Sequence, residues 1–392
     1  MNARSSSPPR TSVEMVRSLV EFNTVSCESN LELIHFVRDY LKGHGVDSRL
    51  TFDDERRKAN LFATLGPHEV GGLVLSGHTD VAPVDGQPWD TDPFKLVAHD
   101  GRLYGRGTAD MKSFIAVVLD AVLGLVRRGL KTPIHLSPSY DEEVGCHGVR
   151  RLIDDLKHAG IRPRWCIVGE PTAMKPVIAH KGKKAWRCTV HGHAYHSAYA
   201  PRGVNAVEYA AEVVAFLAHI ARRYRDGGRC DHAYDIPYST VHTRVIRGGT
   251  AINMVPHECT FDFEFRYLPG DDPDALLAKI RAFIDNELHP RMHAIDPTTG
   301  VDWRELSAFP GLDNSEQADI VALAQALSGN KDIGKVSFGT EASLFQQAGI
   351  VSVICGPGAT EQVHKANEFV TLDQITQCAA FMRRLMDKVC AA

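Results

Sequence analysis

The chain contains no uncharged apolar run close to the roughly 20 residues that a membrane-spanning helix needs. Its most apolar stretch, residues 114–126, is interrupted by Asp120. It also lacks an excess of either charge, because 44 Lys and Arg face 48 Asp and Glu, and a net charge of -4 argues against a nucleic-acid-binding protein with a broad basic surface. We expect neither nucleic-acid nor membrane partners.

Residues 1–12 also lack the apolar stretch of a secretory signal, so we expect none. Residues 1–12 are polar and contain Ser and Pro, which predicts a short disordered tail. The nine cysteines form no C-x-x-C pair and their number is odd, which favours free thiols in a reducing compartment and leaves room for one structural disulfide. We therefore expect a cytoplasmic protein.

Phosphate-binding fingerprints are absent too. A glycine-rich turn, GRGTADMK, precedes a predicted helix that begins near Ser113. Its spacing fits neither the P-loop nor the dinucleotide motif, so a GTP- or dinucleotide-binding protein is disfavoured.

The hydrophobic pattern predicts two kinds of folding unit. Helical periodicity runs over residues 13–44, and strand and helix patterns then alternate up to about residue 182, which favours an α/β sheet. Residues 184–309 instead read strand, helix, strand, strand, helix, strand, with the alternation of half-exposed antiparallel strands. The α/β pattern returns from about residue 310. We therefore predict a split domain, 1–183 and 310–392, that is interrupted by an α+β unit.

Chemistry-bearing side chains follow the predicted buried strands. Each site alone has an ordinary explanation; Asp110, for example, could simply cap a helix. Together they place five possible ligands at strand ends, where functional groups of open α/β sheets gather: His78, Asp110, Glu143, Glu170 and His364.

Oxygen and nitrogen donors without thiolates suit zinc, manganese or cobalt. One bridging carboxylate, with one further carboxylate and one His for each ion, would hold two divalent cations. Three carboxylates and one hydroxide would balance their charge, which makes a buried site tolerable. In the acidic run Asp141-Glu142-Glu143, one carboxylate could bind metal while its neighbour acts as a general base on water.

The chain resembles the di-zinc amidohydrolase and peptidase family over nearly its whole length. The motifs that carry the resemblance are GHTDVAP, GRGTADMK, DEEVG, GEPT, GHAYHSAYAPRGVNA, GGTAINMVP and HKANEFV. The resemblance implies a mixed-sheet, zinc-peptidase-like catalytic domain. It also implies that residues 184–309 form a ferredoxin-like lid and dimerisation domain, and hence a homodimer.

The resemblance also implies individual roles. His78, Asp110 and Glu170 would bind one zinc ion, and Asp110, Glu143 and His364 the other. Asp80 would orient His78, and Glu142 would be the general base. Two departures, Tyr140 before DEE and Cys146-His147 after it, lie near this base.

Further roles fall in the inserted unit and after it. His196 would stabilise the oxyanion in the partner's site, although it or His193 could be a surface histidine. Arg266 and Asn253 would hold the substrate carboxylate, although the first could be an edge charge and the second a turn residue. Thr340 would lie in a loop that contacts substrate. Lys183 and Lys184, at the predicted domain junction, receive no role.

The reaction implied is metal-dependent hydrolysis of an N-acyl amino acid. The phrases FNTVSCESNLELIHFVRDYL and PGATEQVHKANEFV resemble most the members that deacetylate N2-acetyl-L-ornithine in arginine biosynthesis. Alternatives in the family are a succinyl-diaminopimelate desuccinylase, a general aminoacylase and a short-peptide carboxypeptidase. An inactive metal-binding or interaction protein on the same fold is the alternative outside enzymes.

Overall fold

The structure is a computed structural model that describes residues 11–67 and 71–390. Most of the predicted tail, residues 1–10, lies outside the described residues. The last two tail residues are not disordered: the Thr11 side chain accepts a hydrogen bond from the Glu14 N–H and so caps the first helix, which begins at Ser12.

The α-helices of the described residues are numbered in chain order. Two of them flank a single π turn at Ile284–Leu288. They are α1 Ser12–Val20, α2 Leu31–Gly43, α3 Lys112–Arg128, α4 His147–His158, α5 Ala206–Gly227, α6 Pro273–Phe283, α7 His289–His293, α8 Asp319–Ser328, α9 Ala342–Gln347 and α10 Leu372–Val389. None of these helices combines the length and the apolar composition that a membrane crossing requires.

The strands are numbered in the same way. They are β1 Ser48–Phe52, β2 Ala59–Leu65, β3 Leu73–His78, β4 Val97–His99, β5 Arg102–Tyr104, β6 Ile134–Ser139, β7 Trp165–Pro171, β8 Val177–His180, β9 Gly182–His191, β10 Thr240–Gly248, β11 Glu258–Tyr267, β12 Gly300–Phe309, β13 Leu312–Asp313, β14 Gly334–Val336, β15 Val351–Gly356 and β16 Phe369–Thr371.

The chain forms two compact units. Unit 1 comprises the described residues up to Ala179, Leu312–Lys335, and those from Thr340 onward, and unit 2 comprises His180–Gly311 and Val336–Gly339. The mixed α/β class predicted from the sequence is confirmed. The roles predicted for residues 184–309, a lid and a dimerisation domain, stay predictions.

A nine-stranded mixed sheet is built almost entirely from unit 1. Its order is β1-β2-β6-β3-β7-β15-β8-β13, with β14 beside β8. The neighbours β6, β3, β7 and β15 are parallel, and every residue of β3 and β6 is buried. Such continuously buried strands are expected where helices cover both faces of a parallel sheet. The carboxyl ends of these four strands share one edge of the sheet.

Helix α3 packs against the strands that carry the site. Gly169 of β7 permits this close approach, because a Cβ at this position would lie 2.0 Å from the Phe114 ring. A side chain at 169 would therefore push α3 away from the strand that ends beside Glu170.

Unit 2 has a four-stranded antiparallel sheet in the order β10-β11-β9-β12. Strand β11 alternates strictly between buried and half-buried residues after its exposed first position. Its buried aromatic residues Phe261, Phe263 and Phe265 join the core formed with α5 and α6. Helix α5 begins at Ala206 because the Asn205 side chain accepts hydrogen bonds from the Val207 and Glu208 N–H groups.

The single helix predicted over residues 13–44 is wrong. The structure has α1 and α2 with an irregular segment between them. In that segment the Thr24 hydroxyl donates to the Thr79 carbonyl, and the Asn30 amide donates to the Ala59 carbonyl. Short polar side chains compete with helical backbone bonds in this way, and the periodicity of the apolar residues does not reveal it.

Candidate metal centre

Parallel strand ends bring four of the five predicted ligands to one edge of the sheet. His78 is the last residue of β3 and Glu170 lies near the end of β7. Glu143 lies in the loop that follows β6, and His364 lies in the longer segment that follows β15. The four side chains meet there because β6, β3, β7 and β15 run in the same direction.

Asp110 reaches the same place by a different route. It was predicted to follow a buried strand, and this is wrong. It lies in the turn between β5, a strand of the small β16-β5-β4 sheet, and α3. It is also not the N-cap of α3, a position that Met111 occupies without a side-chain cap.

The five residues form two groups that share Asp110. His78, Asp110 and Glu170 are all buried, and Asp110, Glu143 and His364 form the second group. In each group the possible ligand atoms lie within 4.8 Å of one another. Asp110 faces both groups, with Oδ1 2.9 Å from His78 Nε2 and Oδ2 3.2 Å from His364 Nε2. This is the arrangement expected of a bridging carboxylate.

The remaining contacts complete each group. His78 Nε2 lies 3.7 Å from Glu170 Oε1, and His364 Nε2 lies 2.9 Å from Glu143 Oε2. The two imidazoles differ in environment, because the His78 side chain is 1% exposed and that of His364 is 52% exposed. The first group is therefore enclosed, whereas the second is open to solvent.

Burial and mutual repulsion strongly perturb the acids. Burial, reinforced by the Asp110 charge, raises the pKa of Glu143 and raises that of Glu170 well above its usual range. Burial also raises the pKa of Glu142 to about 8, and the adjacent Glu143 and Asp110 charges add to this shift against the opposing His78. Asp110 is the exception: burial opposes ionisation, but His78 and His364 hold its pKa below the usual range.

The two histidines respond in the opposite direction. Hydrogen bonds to Asp110 and Glu143 raise the pKa of His364 to about 10. Burial opposes the charged form of His78, but Asp110 and Glu170 raise its pKa well above the usual value. The donor set fits divalent metal ions that accept imidazole and carboxylate ligands, such as zinc.

Asp80 contacts His78 and also the loop that follows β6. Its carbonyl oxygen lies 2.9 Å from His78 Nδ1, whereas its carboxylate is 3.6 Å away. The carboxylate oxygens accept hydrogen bonds from the Glu142 and Glu143 N–H groups and from the Ser26 hydroxyl. Asp80 therefore fixes the backbone of the loop that carries the proposed base, in addition to orienting the imidazole.

The two departures from the family pattern lie directly around this loop. Tyr140 is buried, and its N–H donates to the Asn60 side chain. Cys146 is buried in a left-handed conformation (φ 56°), and its thiol donates to Glu142 Oε1 over 3.5 Å. The Cys146 thiol is thus a direct neighbour of Glu142.

Three predicted site residues lie in unit 2. The exposed His196 precedes a short 3-10 helix, and its Nδ1 accepts a hydrogen bond from the Ala198 N–H. Asn253 is close by, since its carbonyl accepts from the Ser197 N–H. Arg266 lies on β11, and its Nε donates to Glu264 Oε1 over 2.8 Å. Thr340 is in unit 1, where it is buried and its hydroxyl accepts from the Ala342 N–H.

The sequence reasoning missed several residues that support the ligands. Arg106 and Glu368 form an ion pair of 2.6 Å with side chains 1% and 0% exposed. Buried Glu341 accepts hydrogen bonds from the Ser76 and Ser139 hydroxyls beneath the strand ends. The signal for the first pair was available, because Arg106 and Glu368 lie in the motifs GRGTADMK and HKANEFV.

Known proteins are similar to this chain in sequence and in fold. The model of peptidase family M20/M25/M40 matches residues 74–388. An acetylornithine deacetylase from Pasteurella multocida is 33% identical over 386 residues, which cover 96% of this chain and 98% of that protein.

Two solved structures show the same fold at low identity. The M20 family metallo-carboxypeptidase Sso-CP2 from Sulfolobus solfataricus superposes with a TM-score of 0.75 at 16% identity, covering 96% of this chain and 98% of its own. A dinuclear metal-binding peptidase of the M20 family from Bacillus subtilis gives a TM-score of 0.66 at 15% identity, with 96% of both chains covered. With two ligand groups that share one carboxylate and a family match over most of its length, the chain belongs to peptidase family M20/M25/M40.

Proposed function

We propose that the protein is a metal-dependent amidohydrolase that cleaves N2-acetyl-L-ornithine into L-ornithine and acetate, a reaction of arginine biosynthesis. The observation that carries this proposal is the pair of ligand groups sharing Asp110, with the half-buried carboxylate of Glu142 beside them. The similarity to an acetylornithine deacetylase over nearly the full length of both chains supports the choice of substrate.

The cofactor we propose is a pair of divalent ions, Zn²⁺ in preference to Co²⁺ or Mn²⁺. His78, Asp110 and Glu170 would hold one ion, and Asp110, Glu143 and His364 the other. When bound, such a pair supplies Lewis acidity that polarises an acyl carbonyl and makes water more acidic.

Glu142 moves the proton in this mechanism. The carboxylate accepts a proton from the attacking water and delivers a proton to the nitrogen of the departing amine as the C–N bond breaks. Its half-buried position next to Glu143 and near Asp110 suits a group that must exchange protons with the reacting atoms. Asp80 holds the Glu142 backbone in place through the N–H contact.

His196 stabilises the oxyanion that forms on the acyl carbon, in the active site of the partner subunit. Because its Nδ1 accepts the Ala198 N–H, the neutral ring carries its proton on Nε2. Nε2 is then a hydrogen-bond donor on an exposed side chain, which is what an oxyanion contact requires.

The substrate α-carboxylate is bound by Arg266, with Asn253 and Thr340 as further contacts. Only Nε of Arg266 is engaged, with Glu264, so the two terminal nitrogens remain available among the contacts of the described residues. A planar guanidinium with two free N–H groups is suited to a carboxylate.

The split domain, 1–183 and 310–392, would be the catalytic domain, and residues 184–309 would be the lid and the dimerisation domain of a cytoplasmic homodimer. Two features support this part of the proposal. The outer edge of β10 pairs with no strand of the described residues and exposes Val245 and Ile246. All nine cysteines are free thiols, as expected in a reducing compartment.

The test is turnover of N2-acetyl-L-ornithine by metal-free protein before and after zinc or cobalt is added back. We expect no turnover without metal and recovery with up to two ions per chain. Succinyl-diaminopimelate, other N-acetyl amino acids and a dipeptide serve as competing substrates in the same assay. Faster turnover of one of these would replace the substrate, and failure of metal to restore hydrolysis of any of them would contradict the enzyme proposal.

A further inference from the structure

The two groups of ligands are positioned by different means. In the first group, His78 and Glu170 are residues of strands β3 and β7 and are held by the sheet. In the second group, Asp110 lies in a turn, and His364 lies in a loop with a left-handed backbone (φ 61°). Since neither is held by a strand ladder, another set of contacts must fix their separation.

A buried carboxylate holds the Asp110 turn. Glu368 Oε1 accepts hydrogen bonds from the N–H groups of Ala109 and Asp110 at 2.8 and 3.0 Å. Its second oxygen accepts from Arg106 over 2.6 Å. Glu368 is four residues from His364 in the chain, so one side chain already links the two ligand segments.

Arg106 extends this link to the His364 backbone. Its Nη1 also donates to the Lys365 carbonyl over 3.4 Å, and its Nη2 donates to Gln87 Oε1 over 2.8 Å. The Gln87 amide in turn donates to the His364 carbonyl over 3.0 Å. The chain of contacts therefore runs from Asp110 through Glu368, Arg106 and Gln87 to His364.

We propose that Arg106, Glu368 and Gln87 are positioning residues for the second metal ion, because they fix the bridging ligand Asp110 relative to His364. The inference rests on the two-metal site of the proposed function, and none of the three residues touches the reacting atoms. Loss of this network lowers the affinity for the ion held by Asp110, Glu143 and His364 more than the affinity for the ion held by His78, Asp110 and Glu170, because two ligands of the latter ion are held by strands.

Gln87→Leu is the sharpest test, because it removes only the outer branch of the network at a partly exposed position. Removing a group that orients a metal ligand typically lowers metal affinity about 10–100-fold. Calorimetric titration of the metal-free full-length protein with Zn²⁺ should show the weaker site lose affinity by about this factor, with a smaller loss at the tighter site. When two equivalents of Co²⁺ per chain are added, the absorption spectrum of Gln87→Leu should likewise lack the contribution of the second ion.

A control and a second variant separate positioning from general damage. Gln377→Leu removes the same kind of side chain from an exposed face of α10, where its amide donates to Asp373, and it should bind both ions like the wild type. Glu368→Gln keeps an oxygen for the Ala109 and Asp110 N–H groups but leaves the Arg106 charge unpaired. It should weaken the second ion at least as much as Gln87→Leu does, and if it fails to fold, Gln87→Leu decides alone.

Several outcomes overturn the inference. They are unchanged zinc affinity at both sites in Gln87→Leu, equal weakening of both sites, and uptake of only one ion by the wild type. The test of the proposed reaction is separate from the test of the positioning role. If the second ion is lost selectively but no variant or wild type hydrolyses N2-acetyl-L-ornithine, the positioning role stands and the proposed substrate fails.

Discussion

Glu142 is the residue that transfers protons in the proposed mechanism, so its substitution should reduce turnover the most. Glu142→Ala removes the proton acceptor without removing a predicted metal ligand, since Glu143 supplies the carboxylate of the second group. Because a positioned acid–base group contributes about 10²–10⁴-fold, we expect kcat to fall by that factor while zinc content stays at the wild-type value. Steady-state kinetics and metal analysis of the same sample measure both.

The neighbouring acid provides the matched control for this prediction. Asp141 pairs with Lys58 and adopts a left-handed conformation (φ 54°), which asparagine tolerates. Asp141→Asn should therefore keep kcat within a few-fold of the wild type. Near-normal kcat in Glu142→Ala, or a loss of zinc equal to its loss of kcat, would contradict the role of Glu142 as the proton carrier.

At the residue scale, the sequence indicated which side chains meet at the strand ends better than it indicated the contacts that hold them. His78, Glu143, Glu170 and His364 stood out because a His or an acid after a buried strand is conspicuous, and the structure brings them together; their roles as ligands stay predictions. Glu368 lies in the motif HKANEFV but follows no strand directly, and the sequence alone does not show that its carboxylate accepts hydrogen bonds from backbone N–H groups. Its partner Arg106 lies 262 residues away along the chain, so only the folded structure shows that the two side chains form a pair.

At the scale of secondary-structure elements, the hydrophobic periodicity predicted whether a segment is a helix or a strand better than it predicted where the segment begins and ends. The parallel strands were found because runs such as GLVLS are apolar on both faces. The two short strands β4 and β5, and their pairing with β16, were not predicted, because each is only three residues long and lacks a readable alternation. The turn that contains Asp110 follows β5 of this small sheet. Because the sheet was not predicted, the prediction that Asp110 follows a buried strand was wrong.

Strand β11 provides a pH-dependent prediction. The half-buried Glu264 faces three cations: Arg266 at 2.8 Å, and Lys183 and Arg244 at 3.6 Å. Burial opposes its ionisation, but Arg266 and the other two cations hold the pKa of Glu264 below its usual range. A lowered carboxyl pKa adds stability above the unfolded-state value of about 4.3, and this stability is lost as the pH falls through the folded-state value.

Glu264→Gln should therefore destabilise unit 2 at pH 7 by about 1.5–3 kcal/mol, the size of a hydrogen bond to a charged group. The difference from the wild type should shrink as the pH is lowered toward 3, because the wild-type carboxyl becomes protonated as well. Hydrogen exchange of the β11 amides in the full-length protein measures this. Glu258→Gln, at the exposed start of the same strand, should show little effect at either pH, and a pH-independent difference for Glu264→Gln would refute the electrostatic explanation.

For the whole molecule, the change of hydrophobic pattern near residue 184 predicted a second folding unit, and unit 2 of the structure begins at His180. Such patterns report which faces of a strand are buried within one chain. They do not report whether a face is covered by another chain, because an exposed apolar position and an interface position look the same in the sequence. The proposed homodimer therefore depends on the sheet edges, which only the structure identifies.

The two edges of the unit 2 sheet differ in a way that favours one of them as the dimer contact. Strand β12 exposes Asp302, Arg304 and Glu305, whereas β10 exposes the apolar pair Val245 and Ile246, at 41% and 51%, between the exposed Arg244 and Arg247. Unpaired strand edges with apolar side chains are templates for pairing with another chain, and charges on an edge prevent it. A two-fold dimer through β10 would pair the same strand of both copies.

Ile246→Lys places a charge on that edge at an exposed position, where a substitution alters the stability of the fold by less than about 0.5 kcal/mol. We expect sedimentation equilibrium to give twice the chain mass of 43.1 kDa for the wild type and the single chain mass for the variant. Asp302→Lys, on β12, should stay dimeric. Because His196 is proposed to act in the partner's site, the monomeric variant should lose most of its kcat and keep its zinc. A monomer with full activity would leave the dimer without a catalytic role, and a dimeric Ile246→Lys would move the interface away from β10.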